Sequence, residues 1–225
     1  MNPQRANEMK RTDNRALRLR NGVKLKRTTA KRNITEWALL GSNGGAFYEY
    51  AHEMCESIAK KYGLNIYQVA GIIASLSPQT PWDRNIELAE KFCKNGAISG
   101  VPKDRLQKCS DILKLTCRDR ISKRVFGVAG FKVHAFYWNI VGDVSRVTID
   151  SHAVFSAFNS PIAYADGDTY SMNRGPKNSQ YRFLESVYVE CAKELGTDPR
   201  ELQARVWANV RTAKGLREHA ITASF

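Results

Sequence analysis

Residues 126–151 constrain the fold of this chain more than any other stretch. They begin with the turn Gly127–Gly130, continue into an apolar segment that starts at Lys132, and end at Asp150 and a second helix start. Lys132 and Asp150 are 18 residues apart, which accommodates one α-helix of about three turns and a short return. The pattern therefore predicts two helices, with the lysine and the aspartate near their N-termini.

Lys132 and Asp150 carry the chemistry that this arrangement makes possible. The N-terminus of a helix is a region of positive potential, which favours the neutral, nucleophilic form of an amine. A nearby carboxylate can stabilise a developing cation or orient a water molecule. Each residue also has a simpler interpretation. Asp150 is a common type of helix N-cap, and a lysine after a glycine-rich turn is often solvated or in contact with phosphate.

The positive charge of the chain is concentrated at its N-terminus. The formal net charge is +13, and residues 1–32 contain eleven basic and two acidic side chains, a local balance of +9. A basic arm over residues 1–33, followed by a folded part over 34–225, predicts a polyanionic partner such as nucleic acid. A solubilising tail and a membrane-surface anchor are the alternatives, but few bulky apolar residues interleave the charges.

Apolar residues recur at helical spacing through most of the rest of the chain. A first core helix is predicted over 46–62, and a nearly all-apolar second helix over 66–76, which Asn65 can cap. Asp198 is placed to cap a last helix. Because no stretch with strand periodicity is long enough to form a sheet, the predicted fold class is all-α.

The cysteines do not form a recognisable site. They are odd in number and scattered, and no pair has CxxC spacing, so neither a zinc site nor a disulfide framework is indicated. The sequence contains neither a signal-peptide pattern nor an apolar run of about 18 residues. We therefore expect a protein of a reducing, cytoplasmic compartment that does not insert into a membrane.

Two segments resemble the helix-hairpin-helix DNA glycosylases of the endonuclease III superfamily. The hairpin of that family reads roughly Leu-Pro-Gly-Val-Gly-Arg-Lys, followed by a helix and Val-Asp-Thr-His. This chain has Val-Phe-Gly-Val-Ala-Gly-Phe-Lys over 125–132, an apolar segment, and Ile-Asp-Ser-His over 149–152. When Gly130 is aligned with the second hairpin glycine, Val128 stands at the position of the first. This is a departure from the family pattern.

The second similar segment ends a helix in Ser-Pro-Gln-Thr-Pro over 77–81. It is similar to a Ser-x-Gln-Thr-type loop of the same family, in which the glutamine inserts into DNA. A rigid loop between two helices is the alternative interpretation, because proline is common in such loops. Together the two segments, 66–97 and 124–158, cover under half of the chain.

The resemblance implies a two-lobed helical protein that bends double-stranded DNA and flips a nucleotide out of the duplex. In this chain Lys132 would be the nucleophile and Asp150 its electrostatic and general-base partner. Gln79 would insert into the DNA. The helix-hairpin-helix would lie near 122–141. The other residues predicted to bind DNA are Gly127 and Gly130, which would form the phosphate-binding hairpin, and Trp82, Arg124 and His152.

The function that the resemblance implies is DNA glycosylase activity on a modified or damaged base, with or without strand cleavage by β-elimination. Many relatives bind an iron–sulfur cluster through four cysteines that follow the aspartate. Only Cys191 follows Asp150 here, so we expect no iron–sulfur cluster, no metal and no other cofactor. The host would be a bacterial or a phage-infected cell, and the sequence does not indicate an oligomeric state.

Two alternatives to a glycosylase stay open. Some members of the superfamily, encoded by phages with hypermodified thymine, look like base-modifying transferases that would use the same pocket. The other alternative is a DNA-binding protein of this fold without catalytic activity. The presence of both Lys132 and Asp150 argues against the second, because a protein that only binds DNA does not need a carboxylate in a phosphate-lined cleft.

Overall fold

The computed structural model of the protein describes residues 17–18, 24–41, 43–127, 131–159 and 178–213. In these ranges the helices are joined by loops, and the strands are one antiparallel pair of two residues each, β1 (Leu17–Arg18) and β2 (Lys24–Leu25). The all-α fold class predicted from the sequence is confirmed. The α-helices are α1 (Arg27–Ala38), α2 (Phe47–Tyr62), α3 (Ile66–Leu76), α4 (Trp82–Asn95), α5 (Lys103–Leu113), α6 (Arg118–Ile121), α7 (Phe131–Ile140), α8 (Ser151–Phe158), α9 (Asn178–Leu195) and α10 (Pro199–Ala213).

Local capping sets the beginnings of several helices. Asn65 caps α3 as the sequence predicts: its Oδ1 accepts a hydrogen bond from the backbone N–H of Gln68 at 2.9 Å. The side chain of Gln68 accepts one from the backbone N–H of Asn65 at 3.0 Å, which completes a capping box. Asp198 caps α10 through a 2.7 Å hydrogen bond from the backbone N–H of Glu201. These contacts join residues three positions apart, so the sequence alone could indicate them.

The chain divides into two compact units, which are described separately. Unit 1 comprises residues 1–47 and 144–225, and unit 2 comprises residues 48–143. In unit 2 the buried helix α3 is central and packs against α4, α5, α6 and α7. Nine consecutive residues of α3, 68–76, are buried, which explains its nearly uninterrupted apolar sequence.

In unit 1 helix α1 packs against α8, α9 and α10. Helix α10 also contacts a 3₁₀ turn over Asn43–Ala46. Gly44 of this turn lies directly against the backbone of Ala204 and the side chain of Ala208, so a Cβ at position 44 would overlap them. Only glycine allows the turn to lie this close to α10.

Helix α1 crosses the boundary that the sequence predicts between the basic arm and the folded part, at residues 33 and 34. Ala30 and Ile34 are fully buried, and with Ala38 they form an apolar stripe with a step of four residues. Residues 24–33 therefore belong to folded unit 1. Apart from strand β1, the part of the predicted arm that precedes them lies outside the described residues.

Two basic residues of α1 form ion pairs with helix α9. Arg27 Nε lies 2.7 Å from Glu190 Oε2, and Lys31 Nζ lies 2.8 Å from Glu190 Oε1. Burial alone would raise the pKa of Glu190. The hydrogen bonds from Lys31 and Arg27 outweigh burial and leave this pKa below its usual value. The hydrogen bond that Lys31 donates to Glu190 is also the main reason that the pKa of Lys31 is raised.

Candidate functional site

The segment that precedes Lys132 combines a π-helical turn with a glycine in an unusual conformation. Ser122–Phe126 forms the π-helical turn, and Gly127 ends it with φ 55° and ψ −154°. This backbone conformation is essentially restricted to glycine, so the glycine predicted at the start of the hairpin is required there. Gly130 lies outside the described residues. Arg124 is exposed on the π-helical turn.

Lys132 is the second residue of helix α7, so it lies in the first turn of the helix as the sequence predicts. It is half-buried. The backbone N–H groups of a first helical turn have no partner within the helix and create positive potential around it. Lys132 therefore lies at a helix N-terminus, where the positive potential favours contact with an anion.

Hydrogen bonds between side chains fasten the π-helical turn to α7. Ser122 Oγ lies 2.6 Å from Nε2 of His134, and Trp138 Nε1 donates to the same His134 nitrogen at 2.8 Å. Trp138 Nε1 also lies 3.1 Å from Ser122 Oγ. Because these contacts link the turn to the second and third turns of α7, they hold Ser122–Phe126 against the helix that carries Lys132.

The surface beside this turn is strongly basic. Arg118, Arg120, Lys123 and Arg124 are all exposed, and Asp119 is the one acidic residue among the residues of 118–124. The Arg118 guanidinium lies 4.6 Å from the ring centre of Trp138, a cation–π contact that orients it. Exposed basic side chains next to backbone N–H groups are the usual means of binding phosphate.

The loop between α3 and α4 places Gln79 on the surface. Gln79 is exposed and has φ 60°, one of two non-glycine residues with positive φ among those described. This left-handed conformation costs roughly 1–2 kcal/mol in a residue with a Cβ. Non-glycine residues of this kind are concentrated at functional sites, so the geometry supports a functional role for Gln79.

Trp82, the other residue predicted to bind DNA in this segment, is buried. Its residue surface is 7% exposed, and its ring centre lies 6.4 Å from that of Tyr50. A side chain with so little accessible surface contributes to packing. The structure therefore favours a core role for Trp82 over the predicted DNA contact. The sequence alone did not distinguish the two, because tryptophan at the first position of a helix after a loop is compatible with both.

In unit 1 the carboxylate of Asp150 has two local hydrogen-bond partners. Its Oδ1 accepts from the backbone N–H of Ala153 at 2.8 Å, so Asp150 is the N-cap of α8. Its Oδ2 lies 3.3 Å from Nδ1 of His152. The side chains of Asp150 and His152 are 12% and 17% exposed. The carboxylate is thus mostly withdrawn from solvent but still accessible, which suits a residue that acts on a bound ligand.

Tyr181 of α9 holds the extended segment that ends at Asp150. Its hydroxyl donates to the carbonyl of Val147 at 2.7 Å and accepts from the backbone N–H of Ile149 at 3.2 Å. All three residues are buried. Because Ile149 directly precedes Asp150, these two hydrogen bonds restrain the chain at the entrance of α8.

Helix α10 contributes an aromatic and a basic residue to the surroundings of His152. The ring of Trp207 meets that of His152 edge to face, with 6.4 Å between their centres. The Arg211 guanidinium lies 4.8 Å from the centre of the Trp207 ring. Burial lowers the pKa of Arg211, and the charge of Asp150 acts in the opposite direction. Arginine remains charged even so, which gives Asp150 a cationic neighbour.

Sequence reasoning missed Tyr181, Trp207 and Arg211. Trp207 and Arg211 are four residues apart and thus share a helix face, but nothing in that spacing indicates that the face lies next to His152. Asp150 and His152 belong to unit 1, whereas Lys132 belongs to unit 2. The pairing of Lys132 with Asp150 therefore stays a prediction from the sequence.

The described residues contain no group of three or more His, Cys, Asp or Glu side chains that could hold a metal ion. In the same part of the chain, no helix is both long and apolar enough to cross a membrane.

Comparison with known proteins gives a family without an assigned activity. No curated protein and no solved structure gives a significant match to the chain. One family model matches residues 25–214, which begins at the buried Leu25 of strand β2 and includes helices α1 to α10. Because this match covers most of the sequence, the chain belongs to the family of unknown function DUF7178.

Proposed function

We propose that the protein binds double-stranded DNA and acts as a DNA glycosylase, with Lys132 as its nucleophile and Asp150 as its charged partner. The observation that carries this proposal is the position of Lys132. Lys132 is a half-buried residue in the first turn of α7, and the exposed basic turn that precedes this helix ends at Gly127, a glycine with positive φ. This combination supports both phosphate binding and attack on a sugar next to that phosphate.

The basic turn supports DNA as the partner. Four exposed cations within residues 118–124 offer several phosphate contacts, and α6, the π-helical turn and α7 together would be the helix-hairpin-helix of the proposed two-lobed fold. The basic residues that precede Leu25 would add further contacts to the duplex. The enzyme would work in the cytoplasm of a bacterial or phage-infected cell.

Lys132 and Asp150 would divide the chemistry between them. The amine of Lys132 attacks C1′ of the flipped nucleotide, so that the Nζ–C1′ bond forms while the glycosidic bond breaks and the base leaves with a proton. The ionised carboxylate of Asp150 stabilises the positive charge that develops on the sugar. The nitrogen lone pair of this adduct then expels O4′, which takes a proton from water, so that the C1′–O4′ bond breaks, the sugar ring opens and a protonated Schiff base forms. The Schiff base is either hydrolysed or resolved by β-elimination of the 3′ phosphate. No metal or cofactor takes part in these steps.

Borohydride trapping tests the proposal, because borohydride reduces the Schiff base to a stable amine. The substrates are duplexes that carry uracil, an oxidised base, an alkylated base or a phage-type modified pyrimidine. The wild-type protein is expected to become covalently attached to at least one of them, and the Lys132→Ala variant to none. Lys61→Ala, which removes an exposed lysine of α2 that pairs with Glu90 and is not among the proposed phosphate contacts, is the matched control and should trap normally.

Three results would contradict the proposal. Trapping by Lys132→Ala at the wild-type level would assign the nucleophile to another amine. Duplex binding without trapping and without release of any base would favour the non-catalytic DNA-binding protein. An altered base that stays in the duplex, with no base released, would favour the base-modifying transferase.

A further inference from the structure

The turn over residues 77–81 is held by hydrogen bonds on both sides of Gln79. The backbone N–H of Thr80 donates to the carbonyl of Ser77 at 3.1 Å, and the Thr80 hydroxyl donates to the carbonyl of Leu76 at 2.8 Å. The Ser77 hydroxyl donates to the carbonyl of Ala74 at 2.9 Å. These contacts are local and return the loop to the end of α3.

One further contact comes from a distant part of the chain. The guanidinium of Arg105 donates through Nη1 to the carbonyl of Pro78 at 2.7 Å, across 27 residues of sequence. Arg105 is half-buried on helix α5, which packs against α3. A hydrogen bond from a charged donor is stronger than one between neutral groups, so this contact is a substantial restraint on the turn.

The position of this hydrogen bond matters because the Pro78 carbonyl belongs to the peptide unit directly before Gln79. Peptide units are planar, and φ of Gln79 describes the rotation between that unit and the Gln79 Cα. Fixing the carbonyl therefore fixes one side of the torsion that has the unusual value of 60°. Since Gln79 is exposed, burial of its side chain does not explain why the turn keeps this conformation.

We infer that Arg105 is a positioning residue for Gln79: it holds the turn in the left-handed conformation before DNA arrives, so that the glutamine is presented ready for insertion. This inference rests on the proposed function, in which the turn faces DNA. Preorganisation lowers the conformational entropy that ordering the turn would otherwise cost on binding. The charge of Arg105 is directed at a protein carbonyl, which distinguishes it from a residue that acts mainly by contacting phosphate.

The first test uses the free protein and is independent of DNA. Arg105→Met keeps the apolar part of the side chain and removes the donor. Amide hydrogen exchange in the peptide that contains Thr80 should become roughly tenfold faster, the factor expected for the loss of one charge-assisted hydrogen bond. Lys108→Met removes one charge from the same helix and should leave this exchange unchanged, because none of the described hydrogen bonds joins Lys108 to the turn. Unchanged exchange in Arg105→Met would overturn the inference.

The second test measures insertion into DNA. The probe is a duplex with a tetrahydrofuran abasic-site analogue opposite 2-aminopurine, whose fluorescence rises when it unstacks. Relative to wild type, Arg105→Met should lower the equilibrium constant for the fluorescence change roughly tenfold. Arg105→Met and Lys108→Met each remove one positive charge from α5, so DNA binding by the two variants should depend on salt to a similar degree.

A double-mutant cycle shows whether Arg105 acts through Gln79. In the Gln79→Ala background, Arg105→Met should have no further effect on the fluorescence change, because the side chain that it positions is gone. Additive effects of the two substitutions would overturn the inference. If exchange changes as expected but wild-type protein causes no fluorescence change, the positioning of the turn stands and its role in DNA insertion fails together with the proposed function.

Discussion

Nδ1 of His152 lies 3.3 Å from Oδ2 of Asp150, while Oδ1 of the same carboxylate caps helix α8. The two residues are two positions apart at one helix start, and both are mostly buried. Asp150 thus uses Oδ1 to cap the helix and Oδ2 to contact His152. A substitution that keeps the cap but removes the negative charge can therefore separate a structural role of Asp150 from a catalytic one.

Asp150→Asn makes this separation. Asparagine caps helices about as well as aspartate, so the melting temperature should change little. If the carboxylate stabilises a sugar cation, the loss of its charge should lower the rate of base release by on the order of a hundredfold or more. The measurements are single-turnover base release and a thermal melt.

Asp198→Asn, at the cap of α10 in the same unit, is the matched control and should keep the wild-type rate. A wild-type rate in Asp150→Asn would remove Asp150 from the mechanism.

Tyr181→Phe tests whether the segment before Asp150 must be held in place. The variant loses the hydrogen bonds to Val147 and Ile149, and we expect the free energy of unfolding to fall by about 1–3 kcal/mol. Because Asp150 follows this segment, the rate of base release per folded molecule should also fall, by at least about tenfold. Tyr188→Phe removes another buried hydroxyl of α9, which is bonded to Ser156, and serves as the control. Equal rates in the two variants would limit Tyr181 to a role in stability.

Two N-terminal truncations separate the arm from the fold. Deletion of residues 1–23 removes six basic and two acidic residues and leaves α1 intact. Because the deletion also removes strand β1, we expect a small fall in the melting temperature, together with weaker non-specific DNA binding and a smaller dependence of affinity on salt. Deletion of residues 1–32 also removes Ala30 and Lys31 with the first half of α1, so it should lower the melting temperature. An unchanged salt dependence after the shorter deletion would mean that the arm does not contact phosphate.

Glu190→Gln should make stability less dependent on acidic pH. The folded-state pKa of Glu190 is below its usual value, so its ionised form stabilises the protein above roughly pH 4.3 and this contribution is lost as the pH falls through the lower folded pKa. Since the pair is partly exposed, we expect wild type to exceed the variant by about 1 kcal/mol at neutral pH. Urea denaturation between pH 7 and about pH 3 measures the difference, which should shrink as the pH falls. Glu36→Gln, at an exposed pair with Arg32 on α1, should have a smaller effect throughout this range. A difference for Glu190→Gln that does not shrink at acidic pH would contradict the ion-pair explanation.

The predicted boundary between the basic arm and the folded part, at residues 33 and 34, was wrong because it was based on charge alone. Arg27 and Lys31 continue the run of positive charges that begins near the N-terminus, and the sequence therefore suggested that they belong to a solvated arm. In the structure their partner is Glu190, 163 and 159 residues away. The apolar residues Ala30, Ile34 and Ala38 recur every four positions, which is typical of a helix. This pattern is a weak indication, because the stripe is narrow and two of its three residues are small.

The features that depend on neighbouring residues follow from the sequence alone. Asn65 and Asp150 cap the helices that follow them, and Gly127 adopts the backbone conformation that only glycine favours, because these interactions reach no further than about one helical turn. The tertiary structure alone decided the burial of Trp82 and the contacts of Arg105 with Pro78 and of Tyr181 with Val147. A periodic pattern specifies which face of a helix is buried but not which distant face it meets, so long-range partners emerge only when the helices pack.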